Sequence, residues 1–204
     1  MVIQREVLPT THQSYRQAAQ VLGRAFVDDP VSVVVYRNFS PARLVHALTV
    51  DFTAELLVCV RKGYPLQVNE DGKVLTAAVI YPPGGYPLPA SDTWLMLIKS
   101  LLGNGFYNVG GWLRWLNEVD KFHPRKPHYY LEYLGVEPEL QGKGLGSAIL
   151  QHLTVKADEE KVGCYLENAN PRNLPFYQRF GFQIIADKEI IGTPCWFMWR
   201  PPHV

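Results

Sequence analysis

The reading of the fold turns on one stretch, Leu134-Gly-Val-Glu-Pro-Glu-Leu-Gln-Gly-Lys-Gly-Leu-Gly-Ser147. The run leading into it, Tyr129 to Val136, reads as a buried strand. Glu137 to Gly146 is then a loop with three glycines, and Ser147 to Lys161 is a helix with Leu145, Ala148, Ile149, Leu153 and Ala157 on one side. A strand therefore passes through a glycine turn into a helix N-terminus. Gly142, Gly144 and Gly146 leave backbone N–H groups unshielded, so that several can converge on one anion with help from the positive end of the helix dipole. The ligand this suits is a phosphate or pyrophosphate. A nucleoside-triphosphate loop needs GxxxxGK followed by Ser or Thr, whereas Lys143 lies between glycines with no such pair after it. A dinucleotide fingerprint needs GxGxxG; the spacing here is GxGxG, too far along the chain for a doubly wound sheet to follow.

Downstream, Gly163 to Glu167 reads as a strand, which completes a strand–loop–helix–strand unit expected to be a right-handed parallel crossover. Asn173 to Arg179 is a short helix. Asn173 is placed to cap it, Pro175 falls in its first turn and Gly181 can end it in a left-handed conformation. Phe182 to Ala186 and Pro194 to Trp199 are the last strands. Upstream, Ile3 to Leu8 is a short strand, and a helix from Thr11 or His12 runs to Phe26, where Asp28-Asp29-Pro30 breaks it. Ser40-Pro41 starts a second helix that Gly63 ends. Pro65 to Asn69 and Lys73 to Tyr81 flank Asp71-Gly72, a strong hairpin signal. Residues 91–119 hold two helix-like runs, Thr93 to Leu102 and Gly111 to Val119. Their tryptophans (Trp94, Trp112, Trp115) suit the wall of a small-ligand pocket and equally suit plain core.

Composition bounds the function classes. With 204 residues, 47% hydrophobic and 19% charged, the chain is one globular domain with a full core. Twenty basic against nineteen acidic residues leave a net charge of +1, which gives no electrostatic case for nucleic acid or an anionic membrane. No apolar run reaches the length of a membrane span. Three scattered cysteines, Cys59, Cys164 and Cys195, argue against a disulfide framework and for a reducing, cytoplasmic compartment. The six histidines show no metal-ligand spacing, so no metal is expected.

The frame Gln141-x-x-Gly144-x-Gly146 after Gly135-Val136, taken with Leu166-Glu-Asn-Ala-Asn-Pro-Arg-Asn-Leu-Pro-Phe-Tyr-Gln-Arg-Phe-Gly-Phe182, resembles the coenzyme A-binding half of the Gcn5-related N-acetyltransferase (GNAT) family. The tracts 141–147 and 171–177 are similar more narrowly to puromycin N-acetyltransferase-like members. Residues 1–120 match those only loosely, so the antibiotic itself is not implied. The resemblance implies a single α/β domain over residues 1–204. Its central mixed sheet would have six or seven strands flanked by helices, with the fourth and fifth strands splayed apart. Residues 1–127 would form the acceptor side, with 91–119 as a helical insert, and 128–204 the acetyl-coenzyme A side.

The implied reaction is direct acetyl transfer from acetyl-coenzyme A to the amine of a small molecule in a ternary complex, by a monomer or homodimer. The resemblance assigns the backbone of Leu134 and Val136 to the pantetheine amides, with the Leu134 N–H as oxyanion donor. It assigns Gly142, Lys143, Gly144, Leu145, Gly146 and Ser147 to the pyrophosphate and Asn173 to the pantetheine arm, and makes Gly135, Gln141, Asn168 and Phe176 further coenzyme A-binding residues. Tyr177 is the expected general acid, its phenol suited to protonating a departing thiolate. For the base the sequence itself points to Glu132, a carboxylate inside the apolar run Tyr-Tyr-Leu-Glu-Tyr-Leu, expensive to bury unless used or paired. Strict alternation puts it on one face with Tyr130 and Leu134. His128 and Glu167 are its rivals. A protein or peptide N-acetyltransferase and a non-catalytic acyl-coenzyme A-binding module are the alternatives. Thiol release with a panel of amines separates the second from a working enzyme.

Overall fold

The computed structural model describes residues 6–106 and 109–203. Strands β1 (Glu6–Pro9), β2 (Leu66–Glu70), β3 (Lys73–Tyr81), β4 (His128–Val136), β5 (Gly163–Asn168), β6 (Gln183–Ile190) and β7 (Thr193–Arg200) form one sheet in the order β1-β2-β3-β4-β5-β7-β6. Every pairing is antiparallel except β4 with β5. The part of the expected first strand before Glu6 lies outside the described residues. The β2–β3 turn falls on Asp71 and Gly72, both at positive φ, as the Asp-Gly pair requires.

The helices are α1 (Tyr15–Ala25), α2 (Pro30–Val35), α3 (Pro41–Lys62), α4 (Ala90–Asn104), α5 (Val109–Val119), α6 (Leu145–Glu159) and α7 (Leu174–Gln178). One face of the sheet packs on α1, α3 and the inner side of α5, through residues such as Leu22, Leu48, Phe52, Leu56 and Trp115. The other packs on α6 and α7, with Leu145, Ile149, Leu150 and Leu153 almost wholly buried. Four such aliphatic side chains, at about 1.5–3 kcal/mol each, account for most of what holds α6 down. β3 lies between the two cores and is buried from Val74 to Tyr81, hence its unbroken apolar sequence.

Asp28-Asp29-Pro30 does more than break α1. Asp29 accepts from the N–H of Val31 (3.0 Å) and Ser32 (3.2 Å), and Pro30 opens the extra helix α2. α6 starts at Leu145, two residues earlier than the sequence suggests, because Gly144 takes the left-handed cap position at φ +82°. It ends at Glu159 rather than Lys161. The expected side-chain cap by Asn173 is not made. Asn170 instead accepts from the Arg172 N–H and caps the single 3-10 turn ahead of α7. Gly181 does take the left-handed conformation after α7, at φ +86°.

The insert is bound firmly to the body. At its start, Asp92 is ion-paired with Arg61 (3.1 Å) and Lys62 (2.5 Å) at the end of α3. At the end of α4, Asn104 donates to Ala47 O (3.0 Å), and both Asn104 and Ser100 donate to Asp51. The three tryptophans divide: Trp115 is core, Trp94 is 62% exposed, and Trp112 donates its indole N–H to Tyr36 Oη at 3.3 Å.

Candidate active site

The parallel pairing of β4 with β5 lasts three residues, from His128–Gly163 to Tyr130–Tyr165. Beyond it the strands part. β4 stays bonded to β3 through Val136, and β5 to β7 through Asn168. A cleft of about 570 Å³ opens on the parted strands and runs down to the glycine loop. The backbone of Leu134, Gly135 and Val136 forms one side of it, and Asn173, Phe176 and Tyr177 line it from α7 and the turn before it.

The loop at its base fits a polyphosphate. Gly142 and Gly144 have φ of +74° and +82°, and a Cβ at either would meet nothing within 4 Å, so the backbone at both is open to its surroundings. Gly146 is set differently: a Cβ there would make ordinary contact with the Phe176 ring at 3.4 Å. Gln141, Leu145 and Ser147 also line the cleft; Lys143 is exposed outside the lining. Asn168 is buried behind the wall, bonded to the backbone of Asn170 (2.8 and 3.3 Å), and shapes the turn after β5. The cleft also takes in Arg172 and Arg179, cations that the motif reading passes over although they stand within the quoted segment.

Tyr177 is buried against Phe176 and Phe182 and makes no side-chain hydrogen bond among the described residues. Burial, with Asp29 adding to it, pushes its phenol above the ordinary value, so the group keeps its proton at neutral pH.

Glu132 sits at a break in the β3–β4 register. Val79 faces Tyr133, but the next residue, Ile80, faces Leu131, so Glu132 is the extra residue of a β-bulge. The bulge corrects the alternation expected from sequence. Glu132 and Tyr133, though consecutive, both line a cavity beneath α4 and α5, and Leu134 falls on the other face, toward α6 and α7. Glu132 therefore shares a face with Tyr130 but not with Leu134. Its Oε2 is buried with no hydrogen-bond partner. Burial first, then the neighbouring Glu55 carboxyl, raises it well above the usual carboxylate range. Glu55 is raised for the same reason and accepts from Tyr81 Oη at 2.6 Å. Two carboxyls in one dry site hold a proton between them.

The other candidates fall into separate settings. Burial pushes Glu167 up to about 7, with the Tyr130 and Tyr165 hydroxyls pulling it partly back. His128 is buried, with Nδ1 on Lys126 O (2.6 Å) and Nε2 against His123 Nε2 (3.1 Å). Burial lowers both rings, His123 to about 4. All three cysteines are buried with raised thiols, Cys164 and Cys195 to about 12, so none is poised as a nucleophile. Among the described residues no group of three His, Cys, Asp or Glu could hold a metal ion, and no helix is long and apolar enough to cross a membrane.

A mixed sheet whose one parallel pair parts over a glycine loop defines an acyltransferase class of fold. The chain belongs to the acetyltransferase (GNAT) family, whose model matches residues 52–182. It is 28% identical to an uncharacterized N-acetyltransferase of Schizosaccharomyces pombe, over 94% of this chain and 81% of that one. Among solved structures it is similar to a histone acetyltransferase HPA2 and related acetyltransferase from Corynebacterium glutamicum (TM-score 0.66, 24% identity, 99% and 98% of the two chains). It is also similar in fold to the PaiA N-acetyltransferase of Thermoplasma acidophilum, solved in complex with coenzyme A (TM-score 0.58, 11% identity, 98% and 99%).

Proposed function

We propose that the protein transfers the acetyl group of acetyl-coenzyme A directly to an amine of a small molecule, both substrates being bound together. The observation that carries this reading is the splay of β4 from β5 over a loop whose two left-handed glycines face open space. The small apolar cavity beneath α4 and α5, on the acceptor side, supports a small acceptor in preference to a protein.

In this reading the loop from Gln141 to Ser147 holds the pyrophosphate by its N–H groups and the α6 dipole, with Arg172 and Arg179 adding charge. The free edge of β4 at Leu134 and Val136 supplies strand-like hydrogen bonds to the pantetheine amides. The Leu134 N–H meets the charge that develops on the thioester oxygen. The lone pair of the neutral amine attacks the acetyl carbon, and Glu132 takes the proton that the nitrogen then loses. The carbon–sulfur bond then breaks and Tyr177 gives its proton to the leaving sulfur. Protons and charge balance: one leaves the amine and one reaches the thiolate. The test is an amine panel with acetyl-coenzyme A, read by free thiol and by product mass. Thiol release with no acetylated amine at any concentration refutes the transfer.

A further inference from the structure

Across β4 from the glycine-loop cleft lies a second chamber of about 160 Å³, walled by α3, roofed by α4 and α5, and floored by the bulge of β4. Leu48, Phe52, Met96, Leu97, Trp112 and Leu116 make its walls apolar. The roof is tied down by the side chains around it: Asp92 to Arg61 and Lys62, Ser100 and Asn104 to Asp51, Trp112 to Tyr36. Three carboxylates reach the chamber, and two are engaged elsewhere. Asp51 accepts from Tyr36, Ser100 and Asn104; Glu55 accepts from Tyr81. Glu132 also lines the chamber: it is hydrogen-bonded to Glu55, and its Oε2 is buried and reached by no donor of the described residues.

An apolar chamber of ~150 Å³ holds one benzene-sized group. A single carboxylate oxygen without a donor, at the floor of such a chamber, is matched by one N–H-bearing cation or amine. A peptide would bring an amide group at every residue into walls that offer it no partners, at a cost of about 1–3 kcal/mol each. The two chambers also adjoin. Phe26 lines the glycine-loop cleft and Phe52 and Tyr133 line this one, and the three rings are in contact at centroid separations of 5.0 to 5.6 Å.

We infer that this chamber is the acceptor site, and that the acceptor is a primary amine carrying one ring-sized apolar group, its nitrogen on Glu132 Oε2. The inference rests on the transferase reading above and narrows its substrate.

The probes are phenethylamine and cyclohexylmethylamine as ring-sized amines, ethylamine and ethanolamine as small ones, and a short peptide with a free N-terminus. Two measurements are made: kcat/KM with acetyl-coenzyme A, and calorimetric binding of each amine to protein saturated with coenzyme A. A ring-sized amine should exceed ethylamine by at least about 100-fold in kcat/KM, because one methylene in such a pocket is already worth about 10- to 200-fold. Met96→Trp should fill the chamber and abolish binding of the ring amines with acetyl-coenzyme A affinity unchanged. Leu116→Ala should enlarge it and favour a naphthyl over a phenyl amine. Acetylation of ethanolamine or the peptide as efficiently as the ring amines, or ring-amine binding unaltered in both variants, overturns the inference while leaving the transferase standing. Ring-amine binding that both variants alter as expected, without acetylation, upholds the chamber and refutes the transferase. No amine bound and none acetylated refutes both.

Discussion

Replacing Glu132 by glutamine gives a test in which function and stability move in opposite directions. The side chain keeps its shape and its place in the bulge but loses the ability to take a proton. As general base it should contribute about 10²- to 10⁴-fold to kcat/KM near neutral pH, and the deficit should shrink as pH approaches the pKa of the amine itself. The groups that interact with it are Glu55 and Cys59 from α3, Tyr81 from β3, Tyr130 and Tyr133 on β4, Tyr86 and Asp120 from the connecting segments, and Glu167 from β5. None of these is a cation. Its folded-state pKa is therefore raised, and the stability it contributes is full below the unfolded value near 4.5 and lost as pH rises through the folded value. Each pKa unit of displacement is worth about 1.4 kcal/mol. The amide introduced by Glu132→Gln would carry no charge into the site and could donate to the Glu55 carboxylate. The variant should thus melt higher than the wild type at pH 8, by about 2–4 °C for each kcal/mol relieved in a chain of this size, with little difference at pH 4.5. Melting curves at both pH values and a pH–rate profile from 5.5 to 9.5 are the assays. A variant that melts lower at pH 8 and keeps the acidic limb of the wild-type profile refutes the argument: Glu132 would then be a paired structural residue, and the base would be Glu167 or a water chain.

Three further outcomes follow from the site. Tyr177→Phe keeps the ring against Phe176 and Phe182 and removes only the proton; kcat should fall about 10²- to 10⁴-fold with coenzyme A affinity nearly unchanged, and full turnover would make Tyr177 a core residue. Gly144→Asp puts a carboxylate where the pyrophosphate would lie; because a Cβ there meets nothing, the fold should survive a left-handed penalty of about 1–2 kcal/mol while acetyl-coenzyme A affinity drops by orders of magnitude in calorimetry. Glu167, pushed up to about 7 from 4.5, contributes stability present below pH 4.5 and lost as pH rises through 7; Glu167→Gln should recover roughly 3 kcal/mol at pH 8 relative to pH 4.5, read by chemical denaturation at the two pH values.

Much of the fold was legible because local signals and packing agree. Ser40 accepts from the Arg43 N–H and Pro41 follows it, as a helix start should look; Asp71-Gly72 turned the hairpin; the glycine loop announced both the parallel crossover and the cleft. The missed helix α2 carries the same start signal in Asp29-Pro30. Its body, Val31-Ser-Val-Val-Val35, is short and β-branched, and only tertiary packing makes it helical. β6 runs to Ile190, past the expected end, because its outer half is an exposed edge strand, Asp187-Lys-Glu189, with no apolar alternation to read. Arg172 and Arg179 were visible as residues, but their place on the cleft wall depends on the turn of the chain after β5. The chamber under the insert is less legible still, since it draws on residues from Leu48 to Tyr133 that only the folded helices bring together.

The bulge is where sequence and structure part most consequentially. Strict alternation along Tyr129 to Val136 would put Glu132 and Leu134 on one face, and the base would then share a chamber with the backbone that binds the thioester. One extra residue turns the strand over. Leu134 goes to the α6 side with the glycine loop, while Glu132 and Tyr133 stay on the α3 side under the insert. A single strand thus serves two chambers, and the parted edge of β4 between them is where an amine held on one side and a thioester held on the other can meet. A bulge depends on the partner strand as much as on its own residues: it exists because Val79 faces Tyr133 and Ile80 faces Leu131, a register that no inspection of β4 alone contains. Deleting Glu132, instead of replacing it, should restore plain alternation and move the face of every residue on one side of the bulge. Loss of both acetyl-coenzyme A binding and amine binding would follow, where Glu132→Gln keeps acetyl-coenzyme A binding intact.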